Sequence, residues 1–118
     1  MRLIFLTLLF TASIMAQATP HSVTLTWNDD FNPQNTTYNI FHAVGSCLDN
    51  PIFIKLNTSP ITTKTYDHLN VEPGLHCYAA TAVYEAIETK YSDFALAEIP
   101  PSSGKIITIE IKDRIFDK

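Results

Sequence analysis

The sequence predicts an all-β fold in which two antiparallel sheets pack face to face. Short runs of alternating apolar and polar residues recur along residues 19–101, and turn-forming Pro, Gly, Asn and Asp residues separate them. Outside the apolar N-terminal segment, no stretch repeats its apolar residues with the period of a helix. Strands of five to ten residues with turns at this spacing are typical of an antiparallel sandwich.

The composition fits one globular domain of ordinary size. The chain has 118 residues, of which 46% are hydrophobic and 17% are charged, and only three are glycine. That length leaves no room for a second domain with its own core. We therefore divide the sequence into a leader at residues 1–18, a domain at 19–101, and a tail at 102–118 that combines a linker with a strand-forming segment.

Residues 1–18 have the features of a secretory signal peptide. One positive charge, Arg2, precedes an apolar run over residues 3–15, and the A-Q-A of residues 16–18 is typical of a signal peptidase site. The alternative is a membrane anchor, but the uninterrupted apolar run is shorter than the ~20 residues that a span requires. We therefore predict an extracytoplasmic protein, secreted or periplasmic, that is free of the membrane after cleavage.

The charge balance argues against polyanionic partners. Without residues 1–18 the chain has seven Lys and Arg against twelve Asp and Glu, a net charge of −5 with neutral histidines. Its lysines are scattered among acidic residues, whereas nucleic acids and anionic membrane surfaces require a clustered basic face. We therefore expect neither nucleic acid nor a membrane surface as a partner.

The first two strands of the domain are predicted from their alternation and composition. Residues 21–27, H-S-V-T-L-T-W, alternate so that every apolar residue faces the same way. The turn formers N-D-D-F-N-P-Q-N at residues 28–35 end this strand. Residues 37–43, T-Y-N-I-F-H-A, are rich in aromatic and β-branched residues and predict a second strand, which Gly45-Ser46 stops.

Two more strands lead into a sharp corner. Residues 52–56, I-F-I-K-L, predict a short third strand, and residues 62–71, T-T-K-T-Y-D-H-L-N-V, predict a fourth. Pro73-Gly74 then turns the chain, because Gly74 can adopt the positive φ that a tight corner requires. Residues 77–83, C-Y-A-A-T-A-V, alternate as a strand directly after this corner.

The last strand of the domain and the loop before it contain a candidate binding site. Residues 91–99, Y-S-D-F-A-L-A-E-I, predict the strand, and Pro100-Pro101 ends it. The loop at residues 84–90 places an aromatic and an aliphatic side chain among acidic ones, which is typical of a small binding hot spot. The alternative is that both apolar side chains pack back onto the domain. The candidate residues are Tyr84, Glu85, Ile87 and Glu88.

The tail has a strand pattern over residues 105–112. Ile107, Ile109 and Ile111 fall on one face, and polar residues fall on the other. We predict that this strand adds to an exposed sheet edge in its own chain or in a partner molecule, which would allow self-association. The alternative is a frayed end or the start of a further domain.

Export would determine the chemistry of several side chains. Cys47 and Cys77 are the two cysteines of the chain, and an oxidising compartment favours a disulfide between them, which would close a loop of about 30 residues. The alternative, a reactive or metal-binding thiol pair, lacks C-x-x-C spacing and a histidine placed as a base.

Asn35 and Asn57 begin N-x-[ST] sequons that would accept a glycan in a eukaryotic secretory pathway.

No motif indicates a metal, a cofactor or a catalytic centre. The four histidines show neither H-x-H nor H-x-x-x-H spacing, so we interpret them as surface or corner histidines. The sequence has no G-x-S-x-G and no glycine-rich phosphate loop, and its paired acidic residues lie in predicted loops. We therefore expect a non-enzyme with no catalytic residues, no metal and no cofactor. The four histidines are His21, His42, His68 and His76.

Five segments, in this order and spacing, resemble a fibronectin type III domain. They are V-T-L-T-W, Y-N-I, T-Y-D-H-L-N-V-E-P-G, C-Y-A-A-T-A-V and Y-S-D, and together they extend over nearly all of residues 23–101. The resemblance implies an immunoglobulin-like β-sandwich in which Trp27 packs across the core. It also implies that Tyr38 and Ile40 lie on a strand beside the one that follows the corner.

The same resemblance has consequences for the cysteines and for the corner. It implies that Cys47 follows one strand and Cys77 begins its antiparallel neighbour, so that the two lie side by side. His76 occupies the position of the corner tyrosine of the family, where a neutral imidazole could donate a similar hydrogen bond. The first edge strand of the family is nearly missing from this chain.

A secreted domain of this kind implies a binding or adhesion module whose partner is an unknown protein or glycan. The alternative is a structural spacer or an assembly subunit that interacts through its sheet edges and its C-terminal strand. The fold hosts many unrelated partners, so the architecture alone does not name one.

Overall fold

A computed structural model describes residues 21–101 and 106–111 of the chain. The predicted signal peptide lies outside the described residues, as do residues 102–105 and 112–118 of the tail. Within the described part, no helix is long and apolar enough to cross a membrane. The elements are β1 (His21–Trp27), β2 (Thr37–Val44), β3 (Ile54–Lys55), β4 (Thr65–Val71), β5 (Gly74–Tyr84), β6 (Ile87–Glu88), β7 (Ala95–Ile99) and β8 (Ile106–Ile111).

The eight strands form two sheets. The three-stranded sheet has the order β4-β1-β8, and the five-stranded sheet has the order β3-β2-β5, with β6 and β7 pairing to different parts of β5. The pairing of β1 with β8 is parallel, and the other pairings are antiparallel. The predicted all-β architecture with two sheets is therefore confirmed.

Both sheets contribute to one core. Val23 and Leu25 of β1 are fully buried, as are Ile40 of β2 and Tyr78 of β5. The alternation of these strands places their apolar residues on the inner faces, where burial stabilises the fold. Trp27 of the three-stranded sheet contacts Tyr38 of the five-stranded sheet, with ring centroids 5.4 Å apart, so the two rings join the sheets across the core.

Some strands are shorter than the sequence predicts, and hydroxyl groups explain the clearest case. The predicted strand at residues 91–99 begins at Ala95. Ahead of it, the Ser92 hydroxyl accepts a hydrogen bond from the Ala80 amide at 2.9 Å, and the Thr89 hydroxyl accepts one from the Ala82 amide at 3.0 Å. The amides of Ala80 and Ala82 thus donate to side-chain oxygens where a regular ladder would supply main-chain oxygens. The ladder is therefore interrupted along this part of β5.

The C-terminal strand lies against the first strand of the same chain. In β8, Ile107 pairs with Val23 and Ile111 pairs with Trp27, in an unbroken parallel register. Ile111 is 2% exposed, and Ile107 and Ile109 pack against the core. The strand therefore covers one edge of β1 while β4 covers the other.

Candidate functional site

The predicted binding loop is a tight hairpin in the structure. Glu85 and Ala86 have φ values of 48° and 65°, and Tyr84 pairs directly with Ile87 across the turn. Positive φ at both central residues is the geometry of the two-residue turns that match the twist of a hairpin. Ile87 is 68% exposed at the start of β6, whereas Tyr84 is only partly exposed.

Glu88, the last residue of this predicted site, is turned towards the sheet. Its carboxylate accepts hydrogen bonds from the Thr81 hydroxyl at 2.5 Å and from the Asn39 side-chain amide at 3.1 Å. These two hydrogen bonds lower the pKa of Glu88 below its ordinary value, because they stabilise the charged form. The structure therefore separates Glu88 from Ile87 and places it beside a second group of side chains.

That second group is an aromatic cluster on the outer face of the five-stranded sheet. The ring of Tyr91 lies 5.1 Å from that of Phe41 and 5.0 Å from that of Phe53. The ring of Phe94 lies 5.0 Å from that of Phe53. The tilted and edge-to-face arrangements are those that aromatic pairs prefer. We call these four residues, Phe41, Phe53, Tyr91 and Phe94, the aromatic cluster.

Small residues of β5 lie on the same face as the aromatic cluster. Phe41 is the cross-strand partner of Ala79, so both side chains point to the outer face. Ala79 is fully buried and Thr81 is 3% exposed, although neither belongs to the core between the sheets. The central strand is therefore buried on both faces over residues 76–82, and the small outer side chains leave room for the rings above them.

A groove opens between the aromatic cluster and the β6 strand. It has a volume of about 800 Å³ and is lined by Phe41, Tyr91 and Phe94, with Glu88 and Lys90 among its polar residues. Tyr91 and Phe94 are each 46% exposed, so their rings are open to the solvent on one side. We call this space the aromatic groove. A concave site with aromatic walls is typical of a binding pocket.

Three of the hydroxyl groups that line the groove, those of Thr81, Thr89 and Ser92, are already committed to internal hydrogen bonds. In addition to its bond from the Ala80 amide, the Ser92 hydroxyl donates to the Asp93 carbonyl at 3.0 Å. The Thr89 hydroxyl likewise donates to the Lys90 carbonyl at 2.9 Å, and the Thr81 hydroxyl donates to Glu88. The ring faces, the Tyr91 hydroxyl and the side chains of Glu88 and Lys90 are therefore the contacts that the groove offers.

The two cysteines lie at disulfide distance beside this site. Cys47 and Cys77 have Cα atoms 5.1 Å apart and bonded sulfur atoms, with a separation of 30 residues along the chain. Cys77 is fully buried on the same face of β5 as Ala79. The bond connects the loop after β2, which leads to Phe53, to the strand beneath the aromatic cluster.

Three of the four histidines come together where the sheets meet at one side. His42 on β2 and His76 on β5 face each other through Nε2 and Nδ1 at 2.8 Å, and the ring of His68 on β4 lies 4.6 Å from that of His42. His76 also donates from Nε2 to the Glu72 carbonyl at 2.7 Å, which is a corner hydrogen bond. The interpretation as surface or corner histidines is wrong for the fourth, His21, which is 2% exposed.

This group of histidines is compact, but its geometry is not that of a metal site. Within residues 21–101 and 106–111, no group of three or more His, Cys, Asp or Glu side chains is arranged to hold a metal ion. Burial first, and then the neighbouring imidazoles of His68 and His76, together lower the pKa of His42 to about 4. Burial, followed by the neighbouring His76, also lowers the pKa of His68. Both effects disfavour a second positive charge in the group.

The sequence did carry a signal for the aromatic groove. Phe41 alternates with Tyr38 and Ile40, so a bulky aromatic residue had to lie on the face opposite to the core. The sequence placed Tyr91 and Phe94 in a predicted strand. No sequence motif indicates that the hydroxyl groups of Thr89 and Ser92 interrupt the ladder there and leave both residues outside the strand. Of the four candidate residues in the predicted loop, the observed groove therefore includes one, Glu88, together with Thr89 and Lys90 of the same loop.

Comparison with known proteins adds no family to this description. No protein-family model matches the chain, and no curated protein matches it.

Proposed function

We propose that this chain is a secreted, non-catalytic binding module of the fibronectin type III kind, and that it binds a protein partner through the aromatic groove. The observation that carries the proposal is the pair of half-exposed rings, Tyr91 and Phe94, beside a groove of about 800 Å³. Aromatic side chains in a concave site are the residues that most often anchor a protein interface.

The strand pairing supports the fibronectin type III part of the proposal. In an immunoglobulin-like sandwich the second strand pairs with the fifth in one sheet, and the third, sixth and seventh lie together in the other. If β1 is taken as the second strand of such a sandwich, then β4, which pairs with it, corresponds to the fifth. The strands β2, β5 and β7, which lie together in the other sheet, correspond to the third, sixth and seventh. The place of the first strand is then occupied by β8, which runs parallel to β1.

The corner after β4 supports the same proposal. Immunoglobulin-like domains often have a tyrosine there whose hydroxyl bonds back to the main chain a few residues upstream. In this chain His76 makes the equivalent bond to the carbonyl of Glu72, and Gly74 between them has a φ of 122°. An imidazole N–H thus takes the role of the phenol O–H.

The hydrogen bonding of the groove favours a protein over a glycan. A sugar presents many hydroxyl groups, each of which loses hydrogen bonds to water unless the site replaces them. The hydroxyls of Thr81, Thr89 and Ser92 already bond within the chain, so these three have little to offer in exchange. An apolar side chain of a partner protein needs no such replacement and gains by covering the rings.

A comparison of matched variants tests this proposal. The wild-type protein and the double variant Tyr91→Ser/Phe94→Ser are immobilised and exposed to the secreted fraction of the source cells, and the captured proteins are quantified by mass spectrometry. A control variant, Leu69→Ser, removes an apolar side chain that is 60% exposed on the other sheet. We expect a partner that the wild type and the control capture equally and that the double variant loses.

Two results would change the proposal. Equal capture by the double variant would exclude the aromatic groove as the binding surface. Glycan binding that the double variant loses would keep the groove but replace the protein partner by a carbohydrate.

A second candidate function, an assembly subunit, has its own supporting observation. Strand β8 joins β1 in parallel, and it is the last strand that the structure describes. The same pairing between two molecules would link them by strand addition. Deletion of residues 102–118 would then abolish oligomers in light scattering, whereas a wild-type chain that is monomeric at every concentration would exclude this candidate.

A further inference from the structure

Three imidazoles from both sheets meet at one side of the core. His42 and His76 belong to the five-stranded sheet, and their rings lie side by side with centroids 5.1 Å apart and planes at 18°. His68 belongs to β4 of the three-stranded sheet, and its Nδ1 lies 2.7 Å from the hydroxyl of Tyr78 on β5. We call His42, His68 and His76 the histidine cluster. It adds polar side chains to a contact between the sheets that is formed mainly by apolar ones, and His21 of β1, 2% exposed, is a further polar residue of the interior.

The hydrogen bonds determine the proton positions at neutral pH. The carbonyl of Glu72 can only accept, so the Nε2 of His76 carries a proton. In a neutral imidazole the other nitrogen is an acceptor, and His42 therefore donates from Nε2 to the Nδ1 of His76. With a second proton on His76, its Nδ1 becomes a donor, and His42 accepts at Nε2 after its own proton moves to Nδ1. When both rings are charged, two N–H groups face each other 2.8 Å apart.

Among the described residues, no carboxylate is placed to offset a positive charge on His42 or His68. The titratable group that faces it from β5, besides His76, is the Tyr78 phenol, whose pKa burial raises, so it stays neutral. On β4 the neighbour of His68 is Asp67, which bonds to Thr24. From the corner, Glu72 contributes its main-chain carbonyl, and its side chain is exposed. Among the described residues, the charges that act on His42 are those of the other two imidazoles.

We propose that the histidine cluster is an acid-sensitive contact that holds β4 against the five-stranded sheet at neutral pH and releases it when the imidazoles are protonated. Charged imidazoles whose rings lie 4.6 and 5.1 Å apart repel each other, and release into water relieves the repulsion. Within the described residues, β4 pairs with β1 alone, so it is an edge strand that can move without breaking the five-stranded sheet. Clusters of histidine that open interfaces between pH 5 and 6 are a known kind of switch.

Amide exchange in the full chain with its disulfide intact tests this proposal. Protection factors for β4 and for β5 are measured between pH 7.5 and 4.5, each relative to the exchange of an unfolded chain at the same pH. We expect the protection of β4 to fall about tenfold or more relative to that of β5 as the pH decreases. A constant ratio between the two strands down to pH 4.5 would overturn the proposal.

Two variants separate the cluster from a general effect of acid. His68→Gln removes the imidazole of β4, so we expect the thermal midpoint of the variant to depend less on pH than that of the wild type. Leu69→Gln changes an exposed residue of the same strand and should keep the wild-type dependence. The same pH dependence in His68→Gln as in the wild type would overturn the proposal. If His68→Gln does not fold, ring-proton titrations of the wild type decide: normal pKa values for His42 and His68 with no change in β4 would also overturn it.

Discussion

The ring of Phe41 meets the ring of Tyr91 edge to face, with centroids 5.1 Å apart and planes at 76°. This contact connects β2 to the segment that precedes β7, and it passes above the buried side chain of Ala79 on β5. The floor of the aromatic groove is therefore a packed sheet, while the rings at its wall keep one face in water. Binding and stability should consequently respond to different substitutions.

Substitution of the groove rings should cost little stability. We expect Tyr91→Ser and Phe94→Ser each to lower the free energy of unfolding by about 1 kcal/mol, because both rings are already half exposed. Ile40→Ala, in the fully buried core, should cost about 3 kcal/mol. Urea unfolding of the three variants measures these differences. A loss at Phe94 as large as that at Ile40 would mean that the aromatic cluster is a structural core.

The cysteine pair should stabilise the fold. We expect Cys47→Ser/Cys77→Ser to lower the free energy of unfolding by about 3 kcal/mol, because the bond closes a loop with a separation of 30 residues. Mass measurement before and after reduction, together with urea unfolding, checks both the bond and its effect. Two free thiols in the native protein would contradict the assignment.

One of the two sequon asparagines should be essential for stability. Asn57 is 7% exposed, accepts a hydrogen bond from the Ile40 amide at 2.8 Å and donates to the side chain of Asn39 and to the Ser59 carbonyl. We expect Asn57→Ala to cost about 2–3 kcal/mol, since it leaves a buried amide without a partner.

The other sequon provides the matched control. Asn35 is exposed and has a φ of 68°, so Asn35→Gly keeps a backbone conformation that glycine adopts easily and should change stability by less than about 0.5 kcal/mol. Thermal unfolding of both variants provides the comparison. Similar losses at the two positions would show that the hydrogen bonds of Asn57 are not the cause.

Acid should destabilise the fold through His42. Its pKa is lowered to about 4 in the folded chain, mainly by burial, whereas the unfolded chain has the ordinary value of 6.5. Above pH 6.5 both states are neutral and the full stability is present; below it the unfolded chain binds the proton first, so stability falls until the pH reaches about 4. The shift corresponds to about 3 kcal/mol, which we reduce to about 1–2 kcal/mol because solvent still screens the partly exposed ring.

Urea unfolding at a series of pH values measures this loss. We expect His42→Gln to show a smaller decrease between pH 7 and 4 than the wild type. A free energy of unfolding that rises or stays constant over this interval would contradict the assigned pKa direction.

Local patterns predicted the strands where two independent signals agreed. In β1, strict alternation begins at His21 and the turn formers begin after Trp27, and the observed strand has these bounds. For β3 the run at residues 52–56 was apolar except for Lys55, yet just Ile54 and Lys55 pair with β2. An apolar run predicts that its residues are buried. It does not predict whether they are buried in a sheet or in a cluster of aromatic rings. Here Phe53 joins the aromatic cluster.

The sites depended on contacts that no local pattern contains. His42, His68 and His76 are separated by 26 and 8 residues along the chain. They meet because β2 pairs with β5 in one sheet, while β4 belongs to the sheet that packs against it. Motif spacing detects ligands on one strand or helix, so it missed a cluster assembled from three strands. The aromatic groove has the same origin, since its rings come from β2 and from the segment between β6 and β7.

The most direct test of partner binding at the aromatic groove is an NMR map of the complex. The captured partner is added to the isotopically labelled protein, and the shifts of ring and amide signals are followed through the titration. We expect the largest changes at Phe41, Tyr91 and Phe94, with smaller ones on β1 and β4. Changes confined to the hairpin at Ile87, or to β1 and β8 of the other sheet, would contradict binding at the aromatic groove.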